Sequence, residues 1–443
     1  MGLPWFRLMR GNEEMNMTRR ELLKGIAAML GSGVMGRTAL AEMLAHPLAG
    51  KTLPPWERGH FRIGMIYTGR SESQFLVFPD GTSMLIDCGD TGPGRPNETP
   101  VMPVLPDPAR RPGEWACRYV LRENPNGRKV DYFLLSHWHV DHCGSFRRWR
   151  ENAMSADGRY ALSGIGEAID HLDFGTIIDR AWPDVEEPVP RTKKGEIEAL
   201  KVIGGAYAEA QRRGTKVEKF RLEKAFGQIA LRHGGCAAFD IHPLCANGRI
   251  LRRDGTLLDL GTLGTPNTLS DDNTLSIGLV FSLGPFRYYT AGDFWGYAAG
   301  PDGKRVNFED VLAKEAPLVD VAKANHHAHC TMPLSLVRAL HARVVLGSVW
   351  SRLHSQRSVL RNFAKARHPF LYVPGFLPKR PEDDGEKWLG NVARECFEGI
   401  HAVVDVQPDG RKYRLMLVTA RDESWRILGA YDFNTYHKGD RLS

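Results

Sequence analysis

After residue 41 the chain has no apolar run long enough to cross a bilayer as a helix, so residues 42–443 contain no candidate membrane anchor of that kind. It also lacks a disulfide framework. The seven cysteines (Cys88, Cys117, Cys143, Cys236, Cys245, Cys330 and Cys396) are odd in number and widely scattered, although Cys236 with Cys245 could pair. None has an obvious base beside it, and no G-x-S-x-G elbow supports a serine nucleophile. No internal repeat or low-complexity tract occurs. A basic stripe interleaved with aromatics, the mark of a strand-tracking nucleic-acid binder, is missing too. The formal charge is +7, but in residues 1–41 six cations against three anions account for +3, leaving +4 on residues 42–443. That is too mild to name a polyanionic partner. What remains has the balance of a globular protein, 42% hydrophobic and 25% charged. Its 443 residues can bury a large core in two or three domains.

The first segment carries information of its own. "MTRRELLKGIAAMLGSGVMGRTALA" has a paired-arginine start, a modest apolar stretch, and small residues at Ala39 and Ala41 before Glu42. Thr18-Arg19-Arg20-Glu21-Leu22-Leu23-Lys24 resembles a twin-arginine export signal. The resemblance implies contact with an export machinery, removal of residues 1–41, and an exported, periplasmic or equivalent, location.

Strand and helix signals then alternate. "FLVF", the turn "PDGT" and "SMLIDCG" predict a hairpin around Asp80-Gly81. "GEWACRYVLRENP" has helical spacing, and "KVDYFLLS" reads as a short buried strand. Residues 145–235 are rich in Lys, Arg and Glu at helical spacing around one strand, "FGTIIDRAW". Strands return at "AFDIHPL", "TLSIGLVFSL" and "FRYYTAGDF"; then come a helix, "PLSLVRALHA", and a strand, "RVVLGSV". Two more strands flank Asp409-Gly410. This order predicts layered α/β architecture with mixed sheets rather than a barrel.

One stretch is hard to explain as structure. "DYFLLSHWHVDHCGS" gathers His137, His139, Asp141 and His142 at the end of an apolar strand. Ionisable side chains at such density are not core residues unless paired or bound to a metal. His137 and His139 are two apart, so an extended backbone points both rings the same way. Asp141 and His142 follow at a turn. Imidazole with carboxylate suits zinc, iron or manganese.

"SHWHVDHCG" resembles the H-x-H-x-D-H signature of the metallo-β-lactamase superfamily. The chain is similar over roughly residues 61–350 to ComEC-type competence-protein hydrolase domains and their soluble relatives. The resemblance implies an αββα sandwich of two mixed β-sheets flanked by helices, with a metal site at one edge. It also implies that Asp87 of "MLIDCGD" orients the site, that Asp293 of "YYTAGDF" bridges two metals, and that His326 or His327 of "VAKANHHAH" is the last ligand. His137, His139, Asp141 and His142 complete the set, with Asp141, His142, Asp293 and His327 as the stronger position and His137, His139 and Asp293 as the weaker. Where the family has Gly-Ser after His-His, this chain has Ala328-His329, so His329 could be an added ligand or a donor behind the ligands. The family's middle histidine has no clear counterpart: His171, His233 and His242 are candidates, or the ligand is missing.

The implied cofactor is Zn²⁺, one or two ions, with Mn²⁺ or Fe²⁺ as alternatives. The implied activity is a metallo-hydrolase acting through a metal-bound hydroxide on phosphodiester bonds, with Asp141 able to orient the attacking water. The alternatives are an ester, lactone or amide hydrolase of the β-lactam-cleaving kind, or a non-catalytic metal-binding protein. Expected partners are a small-molecule or nucleotide-type substrate rather than a long nucleic acid. "FRRWRE" (Arg147, Arg148, Trp149, Arg150) could hold phosphates but reads more simply as a solvated helix face. The expected organisation is a signal peptide over 1–41, a linker over 42–60, the hydrolase domain over 61–375, and a C-terminal extension with a β-hairpin over 376–443.

Overall fold

The computed structural model describes residues 45–92, 102–145, 153–184, 194–223, 227–233, 236, 238–264, 269, 271–300, 303–366, 371–377 and 399–435. Residues 1–41, where an export signal is expected, "FRRWRE" and Cys396 lie outside the described residues.

In chain order the strands are β1 (Phe61–Met65), β2 (Gln74–Val77), β3 (Ser83–Ile86), β4 (Lys129–Leu135), β5 (Asp173–Asp179), β6 (Lys216–Lys219), β7 (Phe239–Ala246), β8 (Arg249–Leu251), β9 (Leu257–Asp259) and β10 (Gly278–Leu283). They continue as β11 (Phe286–Thr290), β12 (Tyr297–Ala299), β13 (Arg305–Asn307), β14 (Val321–Lys323), β15 (Val344–Leu346), β16 (Leu371–Val373), β17 (Ile400–Val406), β18 (Lys412–Thr419) and β19 (Ile427–Asn434). The helices are α1 (Pro112–Glu123), α2 (Val140–Cys143), α3 (Ile165–His171), α4 (Lys194–Arg212), α5 (Phe308–Leu312), α6 (Leu334–Leu340) and α7 (Arg357–Ala366).

These form a nine-stranded sheet, β19-β18-β17-β1-β2-β3-β4-β5-β6, and an eight-stranded sheet, β16-β15-β14-β11-β10-β7-β8-β9. Both are mixed: β3 runs parallel to β4, and β11 parallel to β14, while their hairpins are antiparallel. Period-two alternation sends side chains to two different cores. Leu76, Met84 and Leu134 point between the sheets, where Phe281, Tyr288 and Val321 meet them. Their chain neighbours Phe75, Leu85 and Phe133 point outward against Val120, Ile169 and Val202 of α1, α3 and α4. On the far side Val280, Tyr289 and Val345 pack under Leu312, Leu336 and Leu360 of α5, α6 and α7. This is the αββα sandwich of the metallo-β-lactamase fold.

Local chemistry sets the elements. Asp80 accepts from the Thr82 amide at 2.9 Å, and Gly81 sits at φ 91°, closing the β2–β3 hairpin. Pro112 opens α1, with Glu114 in its first turn and Arg122 in its last, favourable charge at both ends.

The C-terminal segment is more than an appended hairpin. β17, β18 and β19 form a meander whose first strand pairs antiparallel with β1 from Phe61↔Val406 to Met65↔Ala402. The segment read as a linker is also held in place. Leu53 is buried and its amide donates to Trp425 O at 2.8 Å, while Gly50 N donates to Ile427 O at 2.7 Å. Cys236 and Cys245 are both free thiols.

Candidate metal centre

Four parallel strand ends, one pair from each sheet, deliver the polar residues to one edge of the sandwich. β3 ends at Ile86 and hands over Asp87; β4 ends at Leu135 and hands over residues 136–143. In the second sheet β11 leads to Asp293 and β14 to His326 and His327. The two halves are stitched there, with Ile277 N donating to Ser136 O at 3.1 Å and Gln74 Nε2 to Thr290 Oγ1 at 3.2 Å. Close approach needs glycine at two points. A Cβ on Gly89 would lie 1.6 Å from Asp141 O, and one on Gly292 would lie 2.8 Å from Ser136 Oγ.

Four side-chain atoms converge. His142 Nε2 lies 3.2 Å from Asp293 Oδ2 and 3.5 Å from Asp141 Oδ2. His327 Nε2 lies 3.2 Å from the same Asp293 oxygen and 2.8 Å from the same Asp141 oxygen. Each group is held from behind. His142 Nδ1 is 2.7 Å from Asp87 Oδ2, and Asp87 also accepts from Ser136 N and Ser136 Oγ, both at 2.7 Å. His327 Nδ1 faces Glu72 Oε2 at 3.4 Å. Lys323 Nζ spans Glu72 Oε2 at 2.8 Å and Asp293 Oδ1 at 3.3 Å. Trp350 Nε1 donates to Asp141 Oδ2 at 2.7 Å. A carboxylate behind each imidazole is the usual way a metal-ligating histidine is fixed in tautomer and orientation.

Glu72, His142, Asp293 and His327 each offer a donor atom within a 4.8 Å sphere of separations, all buried. The geometry separates their duties. Glu72 meets the Nδ1 side of His327, whereas Asp141 and Asp293 meet its Nε2 side. Asp141 therefore belongs with the converging donors, and Glu72 stands behind His327 as Asp87 stands behind His142.

The electrostatics call for a cation. Burial alone would lower the His327 imidazole, but Asp293 and Asp141 outweigh it and lift the group to about 9. His142, fully buried, is likewise raised against its burial by Asp293, Asp141 and Asp87. Burial would raise the carboxyls of Asp141 and Asp293, yet the histidines and, at Asp293, Lys323 hold both well below the ordinary range. The imidazoles are thus drawn to supply positive charge that a divalent ion would supply better. His137 Nε2 is also buried with no hydrogen-bond partner among the described residues. Donor chemistry and the orphaned His137 nitrogen both fit a metal.

The loop carrying His327 is under strain. His326, His327 and Ala328 all have positive φ, at 45°, 54° and 59°. Such non-glycine residues cost of order 1–3 kcal/mol each and persist where surroundings over-determine them. Here Asn325 is pinned by Tyr289 OH at 3.0 Å and by Glu309 Oε1 at 3.0 Å. Its carbonyl accepts from Thr331 Oγ1 at 2.7 Å.

The remaining sequence candidates separate. His137 and His139 lie beside the cluster, with His137 ring centroids 4.1 Å from His142 and 4.8 Å from His139. His326 Nε2 is 3.9 Å from Asp293 Oδ2, and its ring stacks on Trp295 at the rim. His329 stands beyond it, 5.2 Å from His326 between centroids. His171 ends α3, the exposed His233 hangs from Asp80 at the far hairpin turn, and His242 pairs with Val280 on the helix-covered face. All three are carried by elements other than the loops that build the cluster. Sequence reasoning missed Glu72, Trp350 and His354, whose ring stacks on His327 at 4.6 Å. Only a lone acid in the Ser-rich "GRSESQF" hinted at Glu72.

A family model described as Metallo-beta-lactamase superfamily matches residues 67–161, the part that carries Glu72, Asp87 and the histidine motif. No curated relative matches the chain. Among solved structures, one similar chain is CmlA, a diiron beta-hydroxylase from Streptomyces venezuelae, at 13% identity and TM-score 0.32. The match covers 66% of this chain and 45% of that one, so this chain spans under half of its length. Another is described as a "Putative metal-dependent hydrolase" from Parabacteroides distasonis, at 12% identity and TM-score 0.26, covering 69% of this chain and 87% of that one. At such scores neither neighbour bears on the activity of this chain.

Proposed function

We propose that this chain, built on a metallo-β-lactamase superfamily domain, is an exported metal-dependent hydrolase whose substrate bond is a phosphodiester. The observation that carries the hydrolase reading is the convergence of His142 Nε2, His327 Nε2, Asp141 Oδ2 and Asp293 Oδ2, each held from behind by a second polar group. These four would hold a divalent ion, Zn²⁺ or equally Mn²⁺ or Fe²⁺. When bound, such an ion lowers the pKa of a coordinated water to about 7 and polarises the oxygen under attack.

The protein's own part is positioning. Asp87 and Glu72 hold the two imidazoles with Nε2 turned inward. Asp141, whose Oδ2 also accepts from Trp350, lies where a carboxylate can orient an attacking water. Lys323 is buried behind Asp293 and neutralises charge without reaching solvent. The phosphodiester reading rests on the likeness to ComEC-type domains, and export rests on the twin-arginine-like segment.

A second reading is favoured by the rim. Half-buried Trp295, Trp350, His326 and His329 surround the centre. Burial holds His326 at about 4 and lowers His329 as well, so the rim is aromatic and uncharged at neutral pH. A neutral ester, lactone or amide suits such a wall better than a polyanion. The test takes residues 42–443, loads them with metal, and assays bis-p-nitrophenyl phosphate beside a chromogenic lactone and a cephalosporin. Phosphodiester turnover alone supports the first reading, and lactone or cephalosporin turnover alone supports the second. Stoichiometric metal without turnover would leave a binding protein. Asp141→Ala and His139→Ala should lose metal and activity while keeping the fold; wild-type turnover in both would overturn the site.

A further inference from the structure

We infer that Asn273 supplies, through its side-chain carbonyl oxygen, the missing middle protein ligand of a second divalent-cation position beside His137 and His139. The inference rests on the hydrolase reading for its first cation position and goes beyond it in naming how the second is completed.

Asn273 lies in the short 3₁₀ turn Asp272–Leu275, just before β10, whose hairpin partner β11 leads to Asp293. That turn is wedged between the two segments that build the centre. Asp272 Oδ2 accepts from Trp138 N at 2.5 Å, between the two histidines of the motif. Ser276 Oγ accepts from Asp293 N at 3.2 Å, and Thr274 Oγ1 donates to Trp295 O at 2.9 Å. Asp272 is itself locked by buried Arg180, whose guanidinium sits 3.6 Å over the Trp138 ring. The turn therefore has little freedom to leave.

Asn273 is 4% exposed and His137 0% exposed, and among the described residues neither Asn273 Oδ1 nor His137 Nε2 has a hydrogen-bond partner. A buried polar atom left unpaired is costly, so two on segments joined by the Trp138–Asp272 hydrogen bond need a reason. His137 is not adrift, because its Nδ1 is 3.1 Å from Ser136 Oγ, which is anchored on Asp87. Its tautomer is set with Nε2 left over. A shared cation satisfies both orphans at once. An amide oxygen is a harder donor than imidazole, so two histidines with one carboxamide suit Mn²⁺ or Fe²⁺ better, and bind zinc less tightly, than three histidines would.

The experiment titrates the metal-stripped full chain with Mn²⁺ alone. Stoichiometry is read by elemental analysis and calorimetry, and spin coupling between two ions by electron paramagnetic resonance. Wild type should take up two classes of ion, one tight and one weaker, with a coupled signal when both are filled. Asn273→Ala should weaken only the second class, by about 10–100-fold, and abolish the coupling. Asn273→Asp should tighten that class, and Asn273→His should turn its preference toward Zn²⁺; these variants carry the test should the alanine form fail to fold. Two classes unchanged in Asn273→Ala, or an aspartate variant without effect, would overturn the inference. A single class in wild type would overturn it while leaving the first position standing, and no binding at all would overturn both.

Discussion

The buried pair Glu72–Lys323 offers a way to separate stability from metal binding. Both side chains are 0% exposed, and Lys323 Nζ reaches Glu72 Oε2 at 2.8 Å, Asp293 Oδ1 at 3.3 Å and Gly292 O at 2.5 Å. At an effective dielectric of about 20, unit charges near 3 Å attract by about 5–6 kcal/mol gross, offset by the loss of hydration. Breaking such a pair from one side costs about 3–5 kcal/mol, because a buried charge is left alone. Lys323→Met should thus destabilise the metal-free protein by that amount at pH 8. Burial, the largest influence on Glu72, already raises its carboxyl above the ordinary range, and Lys323 pulls against it. Without the lysine the carboxyl rises further, and the native state holds a proton that the unfolded chain releases. The penalty therefore grows as pH rises above the ordinary carboxyl value and is smaller at pH 5 than at pH 8. Glu72→Gln/Lys323→Met should recover most of the loss, since no lone charge remains. It should still bind metal about 10-fold more weakly, because His327 Nδ1 has exchanged a carboxylate for an amide. Urea midpoints of the four metal-free proteins give the coupling energy, and calorimetry gives the affinities. A single-mutant cost under about 1 kcal/mol, or wild-type metal affinity in the double variant, would refute the clamp.

Metal affinity should rise with pH toward about 9, because His327 is protonated below that value and must be neutral to ligate; calorimetry in buffers of different ionisation heat should detect the released proton. The metal-free protein should show the opposite trend. A raised histidine stabilises fully below its unfolded value of about 6.5, and that share is lost as pH climbs through the folded value. A flat stability profile between pH 6 and 9 would count against the carboxylate–imidazolium pairs. Burial lifts Glu309 to about 8, so at neutral pH it is largely protonated and Glu309→Gln should be nearly silent in thermal unfolding. Glu309→Leu strands Asn325 Nδ2 and Met332 N, each bonded to Glu309 Oε1 at 3.0 Å, and should cost about 1–3 kcal/mol per group while loosening the His327 loop. Gly89→Ala should abolish metal uptake, since its methyl would overlap Asp141 O; normal uptake would mean that the 87–90 and 140–142 loops part more easily than their hydrogen bonds suggest.

How much of this could be read beforehand follows from how local each signal is. The β2–β3 hairpin, β4 and the motif after it were legible because turn chemistry, alternation and histidine spacing all sit within one short window. The two-sheet sandwich was legible only through the family resemblance. The union of β1 with β17 was not, because its register joins residue 61 to residue 406 and neither strand carries a mark of the other. Glu72 was hidden for the same reason: its partners Lys323 and His327 come from the other sheet. Asn273 was hidden differently. Imidazole is the expected middle ligand, and the histidines available for it, His171, His233 and His242, are all carried elsewhere by the fold. What marks Asn273 is the turn before β10, bonded to the motif through Asp272 and Trp138, together with a side-chain carbonyl that no donor among the described residues satisfies. A ligand position belongs to a point in the fold before it belongs to a residue type. A chain that exchanges imidazole for carboxamide at such a point can keep two cations while changing which metals it prefers, and the site's selectivity should follow residue 273 rather than the histidine motif.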